Sequence, residues 1–333
     1  MSKQHTEDKI MPTPLRAILP GVIVLIWCVA VGAQSYPTKP IRFVLPFPPG
    51  GGTDALARIF APSLAERLGQ PIVIDNRPGA AGNISADIVA KSAPDGYNLL
   101  MGFSTVLTTS KSLYAKLPFD PERDFAPITQ LATAQYILVV HPSVPAKTIA
   151  EFIALARAKP GTLNYASSGV GGPLHLSAEL FKARAGIDLV HVAYKGGGPA
   201  ATAVIAGEVQ LIFGSVASSL QHIRSGRLRA LAVTGSRRSP LAPELPTIAE
   251  SGFPGFNVIA WDSLLAPKDT AHGIITKIYT EISHVLKSPE VRELINNIGY
   301  EPTGTTPAEL AAIIRSESAT WAKVIRDANI RAE

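Results

Sequence analysis

The sequence is poor in cysteine, aromatic residues and charge, and each shortage excludes a class of protein. Cys28 is the one cysteine among 333 residues, so a disulfide framework and a cysteine-based zinc site are both excluded. Aromatic residues make up 7% of the chain and charged residues 17%, and the basic residues behind the net charge of +5 are scattered. Nucleic-acid-binding proteins usually gather Lys and Arg on one face. We therefore expect a globular protein with no nucleic-acid partner.

The sequence also lacks most of the motifs that identify enzymes. It contains neither the G-x-S-x-G of serine hydrolases nor a G-x-x-x-x-G-K-[ST] phosphate loop, and its seven histidines show no metal-ligand spacing. Ser104, Ser167 and Ser168 follow predicted strands, with His175 near the last two, so a serine hydrolase stays open as an alternative. We favour these serines as hydrogen-bond donors to a ligand and His175 as a helix residue that faces a strand. We expect no cofactor, no metal and no enzymatic activity.

One stretch fits an oxidoreductase, which is the second alternative. The spacing Gly50-x-Gly52-x-x-Ala55 follows a predicted strand, and Asp75 closes the next strand. Dinucleotide-binding folds use such glycines to approach a pyrophosphate and such an acid to bind a ribose hydroxyl. Nicotinamide cofactors are chiefly intracellular, however, whereas the beginning of this chain predicts export.

The N-terminal residues have the layout of a secretory signal peptide. Lys3, Lys9 and Arg16 precede an uncharged run over residues 21–31, and a small-residue cleavage site ends at Ala33. The uncharged run is shorter than the roughly 20 residues that a membrane-spanning helix needs, and an uncleaved N-terminal anchor is the alternative. We predict that residues 1–33 are removed after Ala33 and that the mature protein works in the periplasm.

The rest of the chain repeats one unit, in which a β-branched run is followed by a glycine-rich corner and then by a helical pattern. Strands that alternate with helices form parallel sheets, and such sheets bind ligands at the carboxyl ends of their strands. Four corners fall at these ends, at residues 50–52, 79–82, 169–172 and 196–198. Each corner directs backbone N–H groups and a positive helix end beyond the strand, which is an arrangement suited to an anion.

Six segments together resemble the tripartite tricarboxylate transporter receptors, also called Bug-type extracytoplasmic solute-binding proteins. In chain order they are "FPPGGGTD" (47–54), "IDNRPGAAGNI" (74–84), "APDGYNLLMG" (93–102), "YASSGVGGPLHLSAELF" (165–181), "HVAYKGGGPA" (191–200) and "ELPTIAESGFPGF" (244–256). The resemblance implies an α/β protein of two-lobed periplasmic-binding-protein (Venus flytrap) architecture, each lobe a largely parallel sheet flanked by helices. We expect residues 34–134 with 257–333 to form lobe 1, and residues 135–256 to form lobe 2.

The resemblance also implies the function and the ligand contacts. Such a receptor captures a small organic carboxylate in the cleft between its lobes and delivers it to membrane transporter subunits. We expect a monomer with main-chain and side-chain contacts from Phe47, Gly51, Gly52, Thr53, Asp54, Gly82, Asn83, Ser104, Ser167, Ser168, Gly169, Tyr194, Lys195 and Gly214.

One of these positions departs from the family pattern. Many relatives carry Asp where this chain has Gly214, and a carboxylate there would repel a second ligand carboxylate. Its loss leaves space, so we expect a dicarboxylate or an aromatic acid to be preferred over aspartate or glutamate. The alternative is that Gly214 only tightens the turn into the next helix.

Overall fold

The computed structural model describes residues 36–332. The predicted signal peptide, its cleavage site after Ala33 and Cys28 lie outside these described residues. Residues up to Thr38 belong to a separate short unit, of which residues 36–38 are described, with a cis peptide bond between Tyr36 and Pro37. From Lys39 onward the chain forms one unit, which contains every strand and helix found among the described residues.

The first part of this unit consists of three parallel strands, each followed by a corner and a helix. A single turn of 3-10 helix, Ala80–Gly82, lies within the second corner. The elements are β1 (Ile41–Leu45), α1 (Gly52–Leu68), β2 (Ile72–Asn76), α2 (Asn83–Ala90), β3 (Asn98–Phe103), α3 (Ser104–Thr108) and α4 (Ser110–Leu113). The strands lie in the order β2-β1-β3, and β1 is parallel to both of its neighbours.

The middle of the chain has the same strand-and-helix pattern after one long strand. Its elements are β4 (Phe125–Val140), α5 (Ile149–Ala158), β5 (Asn164–Ser167), α6 (Pro173–Ala185), β6 (Val190–Ala193), α7 (Gly197–Ile205), β7 (Leu211–Ser215), α8 (Val216–Arg224) and β8 (Arg229–Val233). Strand β5 is parallel to β6 and to β7. The predicted parallel pairing is therefore present among the outer strands of both parts.

The C-terminal part returns to the first group of strands and is then mainly helical. Its elements are β9 (Ile259–Pro267), α9 (His272–Lys287), α10 (Pro289–Asn297), β10 (Glu301–Pro302) and α11 (Pro307–Asp327). Strand β9 pairs antiparallel with β3 and with the first part of β4, and β10 also pairs with β4. None of the helices within residues 36–332 is both long and apolar enough to cross a membrane.

The long strand β4 connects the two groups of strands. Its residues from Phe125 to Gln135 pair with β9, whereas those from Tyr136 to Val140 pair with β7 and β8. The sheet order is therefore β2-β1-β3-β9-β4-β7-β5-β6, parallel toward both edges and antiparallel in the middle. The change of pairing partner falls close to Ala134, where the sequence predicts that the chain crosses between lobes. The lobe boundaries themselves stay a prediction.

Candidate ligand-binding site

Helices α1, α2 and α3 begin at the carboxyl ends of the parallel strands β1, β2 and β3, and they bring several predicted site residues to one edge of the sheet. Gly51 precedes α1, Asn83 begins α2 and Ser104 begins α3. Gly50 and Gly82 have φ values of +86° and +97°, which favour glycine and turn the chain into the helices. No side chain of the described residues caps the N-terminus of α1, so its first N–H groups are available to a ligand.

The side chain of Asp54 holds the first corner in shape. Its carboxylate accepts hydrogen bonds from the Gly50 N–H (3.0 Å), from Arg58 Nε (2.9 Å) and from Asn76 Nδ2 (3.1 Å). Asn76 also donates to the Phe47 carbonyl (2.9 Å). The hydrogen bond from Arg58, followed by those from Gly50 and Asn76, lowers the pKa of Asp54 to about 2 despite its burial. This carboxylate is occupied by the corner itself, which favours a role in shaping the loop.

A buried polar cluster lies directly beneath the start of α1. Thr53 Oγ1 donates to Asp262 Oδ1 (2.7 Å), and both side chains are buried. Tyr300 also interacts with the Asp262 carboxyl, and a Cβ added to Gly52 would lie only 2.6 Å from the Tyr300 hydroxyl oxygen. Glycine at position 52 therefore lets the loop approach Tyr300. The Thr53 hydroxyl is committed to Asp262, which leaves its backbone N–H for the predicted ligand contact.

Two acids in this region are buried well enough to change how they ionise. Asp262 is 0% exposed, and burial raises its pKa to about 7, while the bonds from Thr53 and Tyr300 act in the opposite direction. Within the described residues Asp262 Oδ2 has no hydrogen-bond partner. Burial likewise raises the pKa of Glu317 to about 7, although Trp261 Nε1 donates to both of its carboxylate oxygens (3.0 and 2.9 Å). These acids are partly neutral at physiological pH.

A second set of predicted residues comes together at the ends of β5 and β6. The Tyr194 N–H donates to the Ser167 carbonyl (3.0 Å), which ties the two strand ends together. Ser168, Gly169 and Lys195 follow the same strands, and their exposure increases from the half-buried Ser168 and Gly169 to the exposed Lys195. Helices α6 and α7 begin just beyond, after Gly172 and Gly196, and neither start has a side-chain cap from the part of the chain that the structure describes.

The Ser167 hydroxyl contacts a histidine, but in a geometry that does not favour a hydrolase. Its oxygen lies 2.6 Å from His191 Nε2, and it also bonds the Gly169 carbonyl (3.1 Å). Ser167 is 0% exposed and its hydroxyl is already bonded within the corner, which disfavours this oxygen as a nucleophile. His175, the histidine singled out from the sequence, instead accepts a hydrogen bond from the Gly171 N–H (2.9 Å).

The two histidines belong to a stacked cluster beneath this second corner. The rings of His175 and His191 stack with centroids 3.9 Å apart, and Tyr165 stacks on His191 at 4.9 Å. Glu179 accepts a hydrogen bond from the Tyr165 hydroxyl (2.5 Å) and pairs with Lys182 (2.8 Å). Burial lowers the pKa of His175 to about 4 and also lowers the pKa of His191, so both rings are neutral near pH 7. Neutral rings can stack without charge repulsion and hold Ser167 and Gly171 in place.

Gly214 lies on β7, opposite Ile137 of β4, and lines a cavity of about 550 Å³ between α7 and α8. A Cβ added to Gly214 would lie 2.8 Å from Ser219 Oγ. The cavity also reaches Gly197, at the start of α7. A larger cavity, of about 740 Å³, lies between α6 and α11 and contains none of the predicted site residues. Within residues 36–332 no group of three or more His, Cys, Asp or Glu side chains is arranged to hold a metal ion.

Comparison with known proteins shows the family of this chain. A family model described as "Tripartite tricarboxylate transporter family receptor" matches residues 56–330. The chain belongs to this receptor family.

Three solved structures show the same fold. The R. palustris protein Rpa4515, solved with adipate, superimposes with a TM-score of 0.78 at 38% identity, over 89% of this chain and 99% of that one. The periplasmic binding protein BugD has a TM-score of 0.75 at 30% identity, over 90% and 100%. MatC from Rhodopseudomonas palustris, with bound malate, has a TM-score of 0.74 at 32% identity, over 87% and 100%. The predicted two-lobed periplasmic-binding-protein fold is thereby confirmed.

The corners of this family receptor were visible in its sequence, whereas the groups beneath them were not. Asp262 and Tyr300 support predicted site residues from positions far along the chain, and His191 supports Ser167 from the neighbouring strand. The one available signal was an acid within the apolar run "VIAWDSLLAP", because a carboxylate in such a strand requires a partner. The predicted ligand contacts themselves stay predictions.

Proposed function

We propose that this chain is a periplasmic receptor that binds one small organic carboxylate between two lobes. The observation that carries the proposal is that helices α1, α6 and α7 begin after Gly51, Gly172 and Gly196 without any side-chain cap from the described residues. These three starts come from two separate groups of parallel strands. Uncapped helix N-termini offer free N–H groups and a positive dipole end, which together bind a carboxylate without a formal cation.

The relatives support the same class of ligand. Rpa4515 was solved with adipate and MatC with malate, and both ligands are dicarboxylates. Gly214 places no carboxylate at a position where the family resemblance implies an Asp in many relatives. We therefore propose a dicarboxylate or an aromatic acid as the ligand, in preference to aspartate or glutamate.

We further propose that residues 34–134 with 257–333 form lobe 1 and that residues 135–256 form lobe 2. The change in β4 pairing between Gln135 and Tyr136 supports this division. Lobe 1 contributes Phe47, Gly51, Gly52, Thr53, Asp54, Gly82, Asn83 and Ser104, and lobe 2 contributes Ser167, Ser168, Gly169, Tyr194, Lys195 and Gly214. The proposal includes cleavage after Ala33, a monomeric receptor without catalytic activity, and delivery of the ligand to membrane subunits of a tripartite transporter.

The oxidoreductase alternative is weakened by the state of Asp75. Arg42 Nε donates to its carboxylate (2.5 Å), and Arg77 Nε donates to it as well (3.1 Å). An acid that binds a ribose hydroxyl needs a free carboxylate at the end of its strand. Here two arginines occupy it.

Thermal melting with a panel of organic acids tests the proposed function. A ligand present at about 100 times its dissociation constant adds about 2.7 kcal/mol to the free energy of unfolding. For a chain of this size each kcal/mol raises the melting temperature by at most about 2–4 °C. We therefore expect a rise of several degrees, together with a more compact particle in small-angle scattering. If NAD raised the melting temperature and no organic acid did, the oxidoreductase alternative would replace this proposal.

A further inference from the structure

Asp262 lies next to two of the helix starts at the proposed ligand site. On β9 it pairs with Phe103, the last residue of β3, and Ser104 begins α3 immediately afterwards. Thr53, in the first turn of α1, donates its hydroxyl to Asp262 Oδ1 (2.7 Å). The Asp262 carboxyl is therefore separated from the N–H groups at the start of α1 by a single threonine side chain.

The surroundings of Asp262 do little to stabilise a negative charge. Its side chain is 0% exposed, and within the described residues Oδ2 has no hydrogen-bond partner. The groups that face it are the hydroxyls of Thr53 on α1, of Tyr300 after α10 and of Tyr136 on β4, and no cation of residues 36–332 is among them. A buried carboxylate with so few partners is costly, so the neutral carboxyl is favoured.

We infer that the receptor binds its acid together with one proton, which Asp262 takes up from solvent as the ligand carboxylate binds at the start of α1. The inference rests on the proposed function, since the ligand carboxylate is the one held by the N–H groups of that helix. It goes further by adding a second, ionic component to the bound complex. It also assigns Asp262 as the residue that makes affinity depend on pH.

The distance between the two acids is short enough for this coupling. A ligand oxygen bonded to the Thr53 N–H lies about 8 Å from Asp262 Oδ1, along a path of two hydrogen bonds and one side chain. At an effective dielectric constant of about 20, the repulsion of two unit charges at this distance changes affinity by a factor of about ten to thirty. Because burial already raises the pKa of Asp262 to about 7, the ligand anion favours its protonation near neutral pH.

The other ionisable groups close to the predicted contacts do not take up protons in the same pH range. The hydrogen bond from Arg58 is the first cause that lowers the pKa of Asp54 to about 2, so Asp54 stays ionised. Burial lowers the pKa of His175 and of His191, so both rings stay neutral above pH 7. Proton uptake above pH 7 is therefore assigned to Asp262.

Calorimetric titration with adipate, malate and benzoate measures this uptake. All three acids are fully ionised at about pH 7.5, so a proton taken up on binding goes to the protein. Titrations in HEPES and in Tris, at one ionic strength, differ in measured enthalpy by the number of protons exchanged with the buffer. We expect about half a proton per bound acid at about pH 7.5, and an affinity that falls about ten- to thirtyfold between about pH 6 and pH 9.

Asp262→Asn removes the proton acceptor and keeps an oxygen that can accept the bond from Thr53. This variant should show the same binding enthalpy in both buffers once their small blank heats are subtracted, and an affinity that does not change with pH. It should therefore bind the acid about ten- to thirtyfold tighter than the unaltered protein at about pH 9. Loss of a merely structural group would weaken binding or leave it unchanged.

Glu317→Gln is the matched control. Burial also raises the pKa of Glu317 to about 7, but Glu317 is bonded to Trp261, whose side chain points to the opposite face of β9 from Asp262. This variant should keep the proton uptake and the pH dependence of the unaltered protein. Circular dichroism melting of both variants checks that they are folded.

The unaltered protein decides the inference even if a variant fails to fold. Binding of an acid without proton uptake would overturn this inference and leave the proposed function intact, as would uptake that persists in Asp262→Asn. If none of the three acids bound at any pH, the proposed function would fail and this inference with it.

Discussion

The buried carboxyl of Asp262 should make the stability of this protein depend on pH in a direction opposite to that of an ordinary ion-paired acid. Asp262 is 0% exposed, and burial raises its pKa from 3.8 to about 7. Between these two values the folded protein keeps a proton that the unfolded chain has released. The contribution of Asp262 to the free energy of unfolding is therefore fully present below about pH 4 and is lost as the pH rises through about 7.

The substitution Asp262→Asn removes the ionisation and keeps the shape of the side chain. Each unit of pKa shift corresponds to about 1.36 kcal/mol, so a shift from 3.8 to about 7 amounts to about 4 kcal/mol. The variant should be about as stable as the unaltered protein near pH 4. As the pH rises to about 8, its free energy of unfolding should gain about 4 kcal/mol relative to the unaltered protein.

Urea unfolding of both proteins, followed by tryptophan fluorescence from about pH 4 to pH 8, measures this difference. The contribution of Glu317 is common to both proteins and cancels from the difference. Asp188→Asn is the control for the loss of an exposed carboxylate elsewhere in the chain. A difference for Asp262→Asn that did not change with pH would refute the argument that burial holds this carboxyl neutral.

Ligand specificity, a helix cap and the histidine cluster can each be tested by one substitution. Gly214→Asp should weaken binding of the preferred acid at least about tenfold in calorimetry, because the new carboxylate lies beside Ser219 and repels an anion. Tight binding of aspartate or glutamate to the unaltered protein would contradict the proposed specificity. Thr306→Ala should lower the free energy of unfolding by about 1 kcal/mol in urea, through loss of a capping box, with ligand affinity unchanged. Burial lowers the pKa of His175 from 6.5 to about 4, so between these pH values the unfolded chain binds a proton that the folded protein does not. The free energy of unfolding therefore falls as the pH drops from 6.5 to about 4, by up to about 1.4 kcal/mol per pH unit. His175→Asn, which keeps an acceptor for the Gly171 N–H, should reduce that slope, and an unchanged slope would show that His175 does not cause it.

Local patterns were sufficient to predict the elements and corners of this fold. The spacing Thr148-x-x-Glu151 predicts a helix start, and Thr148 Oγ1 accepts a hydrogen bond from the Glu151 N–H (3.1 Å). The glycine-rich corners predict turns, and Gly50 and Gly169 have φ values of +86° and +130°. Both features depend on residues that are neighbours in sequence, which is why the sequence shows them.

Long-range pairing could not be predicted in the same way. The antiparallel pairing of β4 with β9 joins Gln135 to Ile259, and nothing in either segment specifies the other. The bond from Thr53 to Asp262 spans 209 residues. The geometry of the candidate site depends on such contacts, so its corners were visible in the sequence while the groups that brace them were not.

The central property proposed for this chain is that it binds one organic carboxylate and leaves it unchanged. Isothermal titration calorimetry with linear dicarboxylates, followed by mass spectrometry of the recovered ligand, measures both parts of this property in one sample. We predict one ligand per chain, a closed and thermally stabilised receptor, and quantitative recovery of the intact acid. Conversion of the acid to another product, or binding of NAD with no binding of any carboxylate, would contradict it.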